Sequence, residues 1–189
     1  IGRAVAQKLA EEGVHVTCWY RSDEESARET QAISPLISTA KVDVTDHDQV
    51  KKALRSMTGD GQSVDILVHC AGKTRDGFLA GMDDEQWADV LDTNLNSAYY
   101  VCREVVRDMI YHRSGRIVIL SSLSGVTGLP GQTNYAASKG GLIAMAKALA
   151  LEVARYGILV NAVSPGLIAT DMATSLDVTK TETFIERIP

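Results

Sequence analysis

The chain has 189 residues, a formal net charge of -5 and 45% hydrophobic residues, which suits one globular domain with a substantial core. Its 19 Lys and Arg residues form no block, so the sequence predicts no nucleic-acid surface. No apolar run reaches the roughly 18 to 20 residues needed to span a bilayer, and we therefore expect no membrane segment.

The cysteines Cys18, Cys70 and Cys102 are odd in number and form no CxxC or CxxH pair. This spacing predicts reduced thiols and neither a zinc site nor a redox pair, so no metal is expected. A reducing compartment such as the cytoplasm, or an organelle matrix, fits this composition.

In chain order, short runs rich in β-branched residues alternate with segments of helical periodicity. The runs are mostly continuous, as in strands buried on both faces of a parallel sheet. The predicted strands are Val14–Cys18, Ile37–Val42, Val64–His69, Arg116–Leu120 and Ile158–Val163. The predicted helices are Arg3–Glu12, Asp46–Met57, Asp83–Tyr111 with an interruption near Thr93–Ser97, and Asn134–Tyr156. This alternation predicts an α/β fold with a doubly wound parallel sheet and helices on both faces, Rossmann-like in type.

No repeat or linker divides the chain, so residues 1–189 are predicted to form a single domain. The stretch after Pro165 is polar and rich in threonine. It predicts either a mobile lid over a site or an ordinary surface loop.

Three polar residues form the pattern Ser-x12-Tyr-x3-Lys: Ser122 follows a predicted strand, and Tyr135 and Lys139 share one face of a predicted helix. An ammonium within about 4 to 6 Å of a phenol can lower its pKa by roughly 1 to 3 units, which would allow Tyr135 to exchange a proton. Ser122 could then stabilise charge on a carbonyl oxygen rather than act as a nucleophile. Taken singly, each residue also fits an ordinary surface pair or a turn.

The surrounding motifs Ile119-Leu-Ser-Ser-Leu-Ser-Gly and Asn134-Tyr-Ala-Ala-Ser-Lys-Gly-Gly-Leu resemble those of the short-chain dehydrogenase/reductase family, and the resemblance runs from Ile1 to Pro189. It implies that Tyr135 is the catalytic acid/base, that Ser122 orients the substrate carbonyl, and that Lys139 lowers the Tyr135 pKa and holds the nicotinamide ribose. Asn94, in Asp92-Thr-Asn-Leu-Asn, matches the family's fourth catalytic residue, whose backbone positions a water for a proton relay.

The resemblance also implies a nicotinamide cofactor that supplies hydride. Ile1 and Gly2 look like the end of the family's glycine-rich phosphate turn. The chain is therefore expected to be an NAD(P)-binding Rossmann-like domain truncated at both ends, lacking the first strand and the C-terminal strand.

Arg21 and Ser22 follow the first predicted strand, where this fold distinguishes a ribose hydroxyl from a 2′-phosphate. A cation and a hydroxyl suit a phosphate, so the sequence predicts NADP(H). The neighbouring run Asp23-Glu24-Glu25 weakens the local positive potential, and a solvated loop arginine is the alternative.

Other family positions map onto the remaining strand ends. Asp43 and Val44 resemble the adenine contact, although a strand-end carboxylate capping the helix near Asp46 is the competing interpretation. His69-Cys70-Ala71-Gly72 occupies the family's Asn-Asn-Ala-Gly position, so both amide side chains are replaced while Cys70, Ala71 and Gly72 still let the backbone approach the cofactor. His69 is expected to be a hydrogen-bonded strand-end residue without a catalytic role.

The segment from Val163 resembles the family's covering segment over the nicotinamide. In it, Pro165 fixes a turn, Gly166 permits close backbone approach, and Ile168 and Thr170 contact the carboxamide.

Within the family, the matches Asp65-Ile-Leu-Val, Lys73-Thr-Arg-Asp, Thr93-Asn-Leu-Asn-Ser and Gly131-Gln-Thr-Asn-Tyr-Ala-Ala-Ser-Lys resemble the bacterial-type 3-oxoacyl-[acyl-carrier-protein] reductases. This implies NADPH-dependent reduction of a 3-oxoacyl thioester on an acidic acyl carrier protein, in fatty acid or related biosynthesis. Basic residues near the site mouth would contact the carrier, with Arg113 and Arg155 as candidates.

Two further functions stay open at this point. One is a general NADP(H)-dependent carbonyl reductase or alcohol dehydrogenase that takes a small free ketone. The other is a non-catalytic dinucleotide-binding subunit. In related enzymes the helices that match Asp83–Tyr111 and Asn134–Tyr156 pair between subunits, so we expect a homotetramer or dimer.

Overall fold

The structure is a computed structural model that describes residues 1–58 and 62–168. Within these ranges the helices are α1 (Gly2–Glu11), α2 (Glu24–Ala32), α3 (His47–Met57), α4 (Asp84–Leu91), α5 (Ser97–His112), α6 (Ser124–Thr127) and α7 (Thr133–Val153). The strands are β1 (Val16–Tyr20), β2 (Ile37–Lys41), β3 (Ile66–His69), β4 (Gly115–Leu120) and β5 (Ile158–Val163).

All strand pairs are parallel, and helices connect the paired strands. β1 pairs with β2, and a second sheet has the order β3-β4-β5. Parallel pairing joined by helices is the βαβ arrangement, so the α/β Rossmann-like fold predicted from the sequence is confirmed. The carboxyl ends of β3, β4 and β5 therefore lie along one edge, which is where ligands bind in this class of fold.

A cleft of about 1420 Å³ is lined by residues of both sheets. Strands β1 and β3 form much of its wall, and residues of α1 form another part. The cleft reaches Gly2, Cys70 and Ala71, so it continues to the carboxyl edge of the second sheet.

The main core joins α3, α5 and α7 to the second sheet. Its largest fully buried side chains include Met109, Ile117, Ile119, Leu142 and Ile158. Each such side chain contributes about 1.5 to 3 kcal/mol by leaving water. This packing holds α7, which carries the Tyr-x3-Lys pair, against β4 and β5.

The element bounds differ from the sequence prediction where backbone groups are used outside the sheet. The amide of Val14 donates to the Leu9 carbonyl at 3.0 Å and closes α1 beyond Gly13, so β1 starts at Val16. The amide of Val64 donates to Asp108 Oδ2 at 2.9 Å, and β3 starts at Ile66.

Helix α2 is absent from the sequence prediction. It is short and polar, and its start is fixed by Asp23, whose carboxylate accepts from the Ser26 amide at 2.9 Å. The interruption predicted near Thr93–Ser97 is confirmed as a π-helical turn over Asp92–Asn96. In the described part of the chain, no helix is both long and apolar enough to cross a membrane.

Candidate active site

The loop after β4 is tied to both β5 and α7. The Ser121 amide donates to the Val163 carbonyl at 2.8 Å, and the Leu123 amide donates to the Pro165 carbonyl at 2.9 Å. The Ser121 hydroxyl donates to the Lys139 carbonyl at 2.7 Å. These bonds fix Ser122 beside the helix that carries Tyr135 and Lys139.

Gly125 allows this loop to touch the backbone of α7. A Cβ atom at Gly125 would lie 2.6 Å from the Lys139 carbonyl carbon and 2.7 Å from the Gly140 nitrogen. Contacts this short have no room for a methyl group, so a side chain here would push the loop away from the helix. Glycine at position 125 is therefore needed for Ser122 to lie close to the face of α7 that carries Tyr135 and Lys139.

Lys139 is almost fully buried, with 4% of its surface exposed. Its ammonium donates to the Leu120 carbonyl at 2.8 Å and lies 5.7 Å from the centre of the Tyr135 ring. Burial lowers the pKa of Lys139 to about 8. A lysine with this pKa keeps most of its positive charge at neutral pH.

Tyr135 departs from one sequence expectation. Its pKa is raised above 10.0, because burial of the phenol outweighs the lowering effect of the Ser122 side chain, while Asp76 raises the pKa further. The net shift of the Tyr135 pKa is therefore opposite in direction to the lowering expected from the sequence, because burial of the phenol is the largest effect. Tyr135 is therefore a protonated phenol at neutral pH, which is the form a proton donor needs.

Asn94 lies in the π-helical turn and is fully buried. Its amide nitrogen donates to the Lys73 carbonyl at 3.0 Å and to Ser138 Oγ at 2.9 Å, and its oxygen accepts from the Lys73 amide at 2.8 Å. The Ser138 hydroxyl in turn donates to the Tyr135 carbonyl at 2.7 Å. The structure thus connects Asn94 to α7 through Ser138.

Ser138 and Asn134 have no predicted role, but both are buried and hydrogen-bonded at the site. Asn134 is fully buried and its amide nitrogen donates to the Arg75 carbonyl at 3.0 Å and to the Gln86 carbonyl at 3.2 Å. It therefore joins the start of α7 to the loop after β3 and to α4. Both residues stand in the motif around Tyr135, and Ser138 lies at i+3 from Tyr135, which was the available signal.

Gly72 and Gly2 allow close packing of the backbone after β3 and at the start of α1. A Cβ atom at Gly72 would meet Lys139 Nζ at 3.2 Å and Asn94 Oδ1 at 3.4 Å, and one at Gly2 would meet Cys70 Cβ at 3.5 Å. Helix α1 starts at Gly2 without a side-chain cap, so its first amides stay available to an anion. Uncapped amides at a helix start are the kind of group that binds a pyrophosphate.

The other predicted cofactor residues stand after the carboxyl ends of β1 and β2. Arg21 and Ser22 follow β1 directly and are exposed, and Val44 lines the cleft. Asp43 does not cap α3: its carboxylate accepts from the Thr45 amide at 2.9 Å, while Asp46 accepts from the Asp48 and Gln49 amides. The capping alternative for Asp43 is therefore wrong.

The segment after β5 lies beside Ser122, because the Pro165 carbonyl accepts from Leu123. Gly166 and Ile168 follow it along the chain. Thr170, which is predicted to contact the carboxamide, lies outside the described residues.

Arg113 and Arg155 come together, but away from the catalytic residues. The Arg113 guanidinium donates to the Arg155 carbonyl at 3.1 Å, and both guanidinium groups lie over the Tyr156 ring, at 5.8 and 4.8 Å. Arg113 precedes β4 whereas Ser122 follows it, so the pair stands at the opposite edge of the sheet. Their expected place near the site mouth of the same chain is wrong.

Comparison with known proteins identifies the family of the chain. The family model described as short chain dehydrogenase matches residues 1–181. The 3-oxoacyl-[acyl-carrier-protein] reductase FabG of Chlamydia trachomatis is 40% identical, with 100% of this chain and 78% of the relative covered. The reductases of the same name from Haemophilus influenzae, at 39% identity, and Staphylococcus aureus, at 40%, are covered to the same extents. The chain therefore belongs to the short-chain dehydrogenase family of oxidoreductases.

Proposed function

We propose that the protein reduces a ketone to a secondary alcohol with NADPH, and that the ketone is a 3-oxoacyl thioester carried by an acyl carrier protein. The observation that carries the proposal is the convergence of Tyr135, Ser122 and Lys139 at the carboxyl end of β4, with Asn94 linked to them through Ser138. The names of the relatives support the choice of substrate.

The uncapped amides of α1 and Lys139 would hold a nicotinamide dinucleotide, which would supply the hydride for the reduction. The Ser122 hydroxyl donates a hydrogen bond to the carbonyl oxygen and stabilises its developing charge. Tyr135 gives its proton to that oxygen, which suits a phenol whose raised pKa keeps it protonated. Lys139 stabilises the phenolate that remains, and the backbone of Asn94 positions a water that can return a proton to Tyr135.

The preference for NADPH is supported by the free guanidinium of Arg21. Among the described residues Arg21 forms no salt bridge, whereas Glu24 pairs with Lys41 at 3.1 Å and Asp23 caps α2. Two of the three neighbouring carboxylates, Asp23 and Glu24, are thus already engaged. A 2′-phosphate at the end of β1 would find a cation there.

We expect Arg21→Gln to raise the KM for NADPH by roughly 10- to 100-fold, because a hydrogen bond to a charged group contributes about 1.5 to 3 kcal/mol. The KM for NADH should stay within about twofold, since NADH lacks the phosphate. Arg28→Gln is the matched control. Arg28 is exposed like Arg21, but it lies on α2 and already pairs with Glu24 at 4.0 Å. Equal losses with both cofactors would rule out phosphate recognition by Arg21.

The carrier contact is supported by the exposed cations Arg113 and Arg155, with Arg116 next to them donating to the Gly157 carbonyl at 3.3 Å. Strand β4 separates this patch from Ser122 by roughly 20 Å, at about 3.3 Å per residue. An acidic carrier seated on the patch would therefore need a long prosthetic arm or a neighbouring subunit to reach a catalytic site.

Steady-state rates on a carrier-linked 3-oxoacyl thioester and on the same thioester of a small thiol test the substrate. We expect kcat/KM to be roughly tenfold or more higher for the carrier-linked form, because charge complementarity speeds association. Arg113→Gln should reduce only that higher value, with Arg28→Gln again as the control. Equal kcat/KM values on both substrates would favour the alternative of a general carbonyl reductase.

The non-catalytic alternative is disfavoured by the buried, hydrogen-bonded arrangement of Asn94, Ser138 and Lys139, which a binding subunit would not require. We also propose a homotetramer or dimer that pairs through α5 and α7. Tyr111 on α5 and Leu151 on α7 are 83% and 84% exposed, which supports an apolar contact there.

Two further expectations complete the proposal. An additional strand in the part of the cleft between β1 and β3 would unite the two sheets, and the cofactor would then lie at the carboxyl edge, at Gly2 and Ala71. The three free cysteines support a reducing compartment such as the cytoplasm.

A further inference from the structure

His69 ends β3 at the carboxyl edge of the sheet, two residues before Ala71 at the cofactor cleft. It is 4% exposed, and burial lowers the pKa of its imidazole to about 4, so the ring is neutral at physiological pH. Its Nε2 atom lies 3.2 Å from Ser97 Oγ. The expectation of a hydrogen-bonded strand-end residue is thus confirmed, and its partner is the first residue of α5.

The direction of this hydrogen bond follows from the partners of Ser97. A serine hydroxyl has one hydrogen, and Ser97 Oγ donates it to the Thr93 carbonyl at 2.6 Å. Toward His69, Ser97 Oγ must therefore accept. The imidazole accordingly carries its proton on Nε2 and donates it to Ser97.

Ser97 closes the π-helical turn. Its backbone amide donates to the carbonyl of Asp92, five residues earlier, and its hydroxyl donates to the carbonyl of Thr93. One residue thus secures two carbonyls of the widened turn. π-Helical turns are rare and need such extra partners, because one residue is inserted into the regular hydrogen-bond ladder.

The position of Asn94 depends on that turn. Asn94 is in the middle of it, and its side chain is fully buried between Lys73 and Ser138. A turn that tightened into regular α-helix would rotate Asn94 by about 100°, one residue's share of a 3.6-residue turn, away from these partners. His69, at the end of β3, contacts Ser97, the residue that closes this turn.

We propose that His69 is a positioning residue for the reduction: by donating to Ser97 it holds open the widened turn that presents Asn94 to the catalytic group. The inference rests on the proposed function. It also accounts for a histidine where the family resemblance has a shorter amide side chain.

Two substitutions of His69 separate this role from bulk packing. The amide nitrogen of glutamine reaches about as far as Nε2, whereas that of asparagine reaches only as far as Nδ1. We expect His69→Gln to keep kcat within about threefold of the unsubstituted protein, and His69→Asn to lower it roughly 10- to 100-fold, as misplacement of a group by about 1 Å does. The KM for NADPH should change less than about twofold in both, because Asn94 acts on the proton and not on cofactor binding.

Ser97→Ala removes the same link from the other side, and it should lower kcat to a similar extent. In the Ser97→Ala background, His69→Asn should have little further effect, which is the signature of two residues acting through one contact. His112→Asn, on the same helix α5 but facing Asp108, is the control expected to leave kcat unchanged.

Equal activities of His69→Gln and His69→Asn would overturn the proposal. An unchanged kcat in Ser97→Ala would also overturn the proposal. This test remains valid if a His69 variant does not fold. If Tyr135→Phe is inactive while all these variants are normal, only this inference fails. If Tyr135→Phe is active, the proposed function fails first.

Discussion

Replacing Tyr135 with Phe is expected to lower kcat for ketone reduction by roughly 10²- to 10⁴-fold, the range that general acid catalysis contributes. The substitution removes only the phenolic oxygen, so the half-buried ring on α7 keeps its packing. Binding of NADPH should be retained, because the cleft glycines and Lys139 are unchanged. Single-turnover oxidation of NADPH, with cofactor affinity measured separately by fluorescence titration, checks both statements.

The control for this experiment is Tyr111→Phe. Tyr111 is 83% exposed at the end of α5, and loss of its hydroxyl should leave kcat unchanged. A Tyr135→Phe protein that folds, binds NADPH and turns over at an ordinary rate would falsify the assignment of Tyr135 as proton donor. In the unsubstituted protein, deprotonation of Tyr135 should not lower the rate near neutral pH, because the pKa of this phenol is raised.

The fold was largely predictable because its strands are short runs rich in β-branched residues that alternate with segments of helical periodicity. The expected burial on both faces is wrong for β5, where buried and exposed residues alternate. The polar helix α2 gave no such pattern, because its nine residues bury only Ala27 and Thr30. The start of β1 was displaced because the Val14 amide is used to close α1. That choice depends on a tertiary arrangement that a local pattern does not contain.

The candidate site was predictable where a motif names the side chain and its frame, as for Ser122, Tyr135 and Lys139. The surroundings of these side chains were less predictable, because they depend on burial and on the tertiary fold. The sequence shows that Tyr135 and Lys139 are one turn apart, but not that the ammonium is directed at the Leu120 carbonyl. Nor does it show that Arg113 and Arg155 gather at the opposite edge, because that follows from strand direction.

Lys139→Met is expected to have effects of opposite sign on activity and on stability. It should lower kcat by roughly 10²- to 10³-fold, because the phenolate left on Tyr135 loses its nearby positive charge. In the unsubstituted protein, the rate should fall as the pH rises through about 8, where Lys139 loses its proton. That limb of the pH profile should be missing from the residual activity of the variant.

The stability effect follows from the lowered pKa of Lys139, from 10.5 to about 8. Between these values the unfolded chain binds the extra proton, so the contribution of Lys139 to the free energy of unfolding rises with pH across that window. Below pH 8 both states are protonated, and burial of the ammonium costs the folded protein about 3 kcal/mol, at about 1.4 kcal/mol per pH unit. Methionine removes this cost but leaves the Leu120 carbonyl without its donor, a loss of roughly 1 kcal/mol or more.

Urea unfolding of both proteins at pH 7 and pH 10 tests this balance. The variant should be more stable than the unsubstituted protein by about 1 to 2 kcal/mol at pH 7. That advantage should fall by about 2 to 3 kcal/mol at pH 10, because only the unsubstituted protein gains stability from deprotonation of Lys139. Other titrating groups are common to both chains and cancel in the difference. A difference independent of pH would mean that the Lys139 ammonium is solvated in the folded state, and its claim to stabilise a buried phenolate would fall with it.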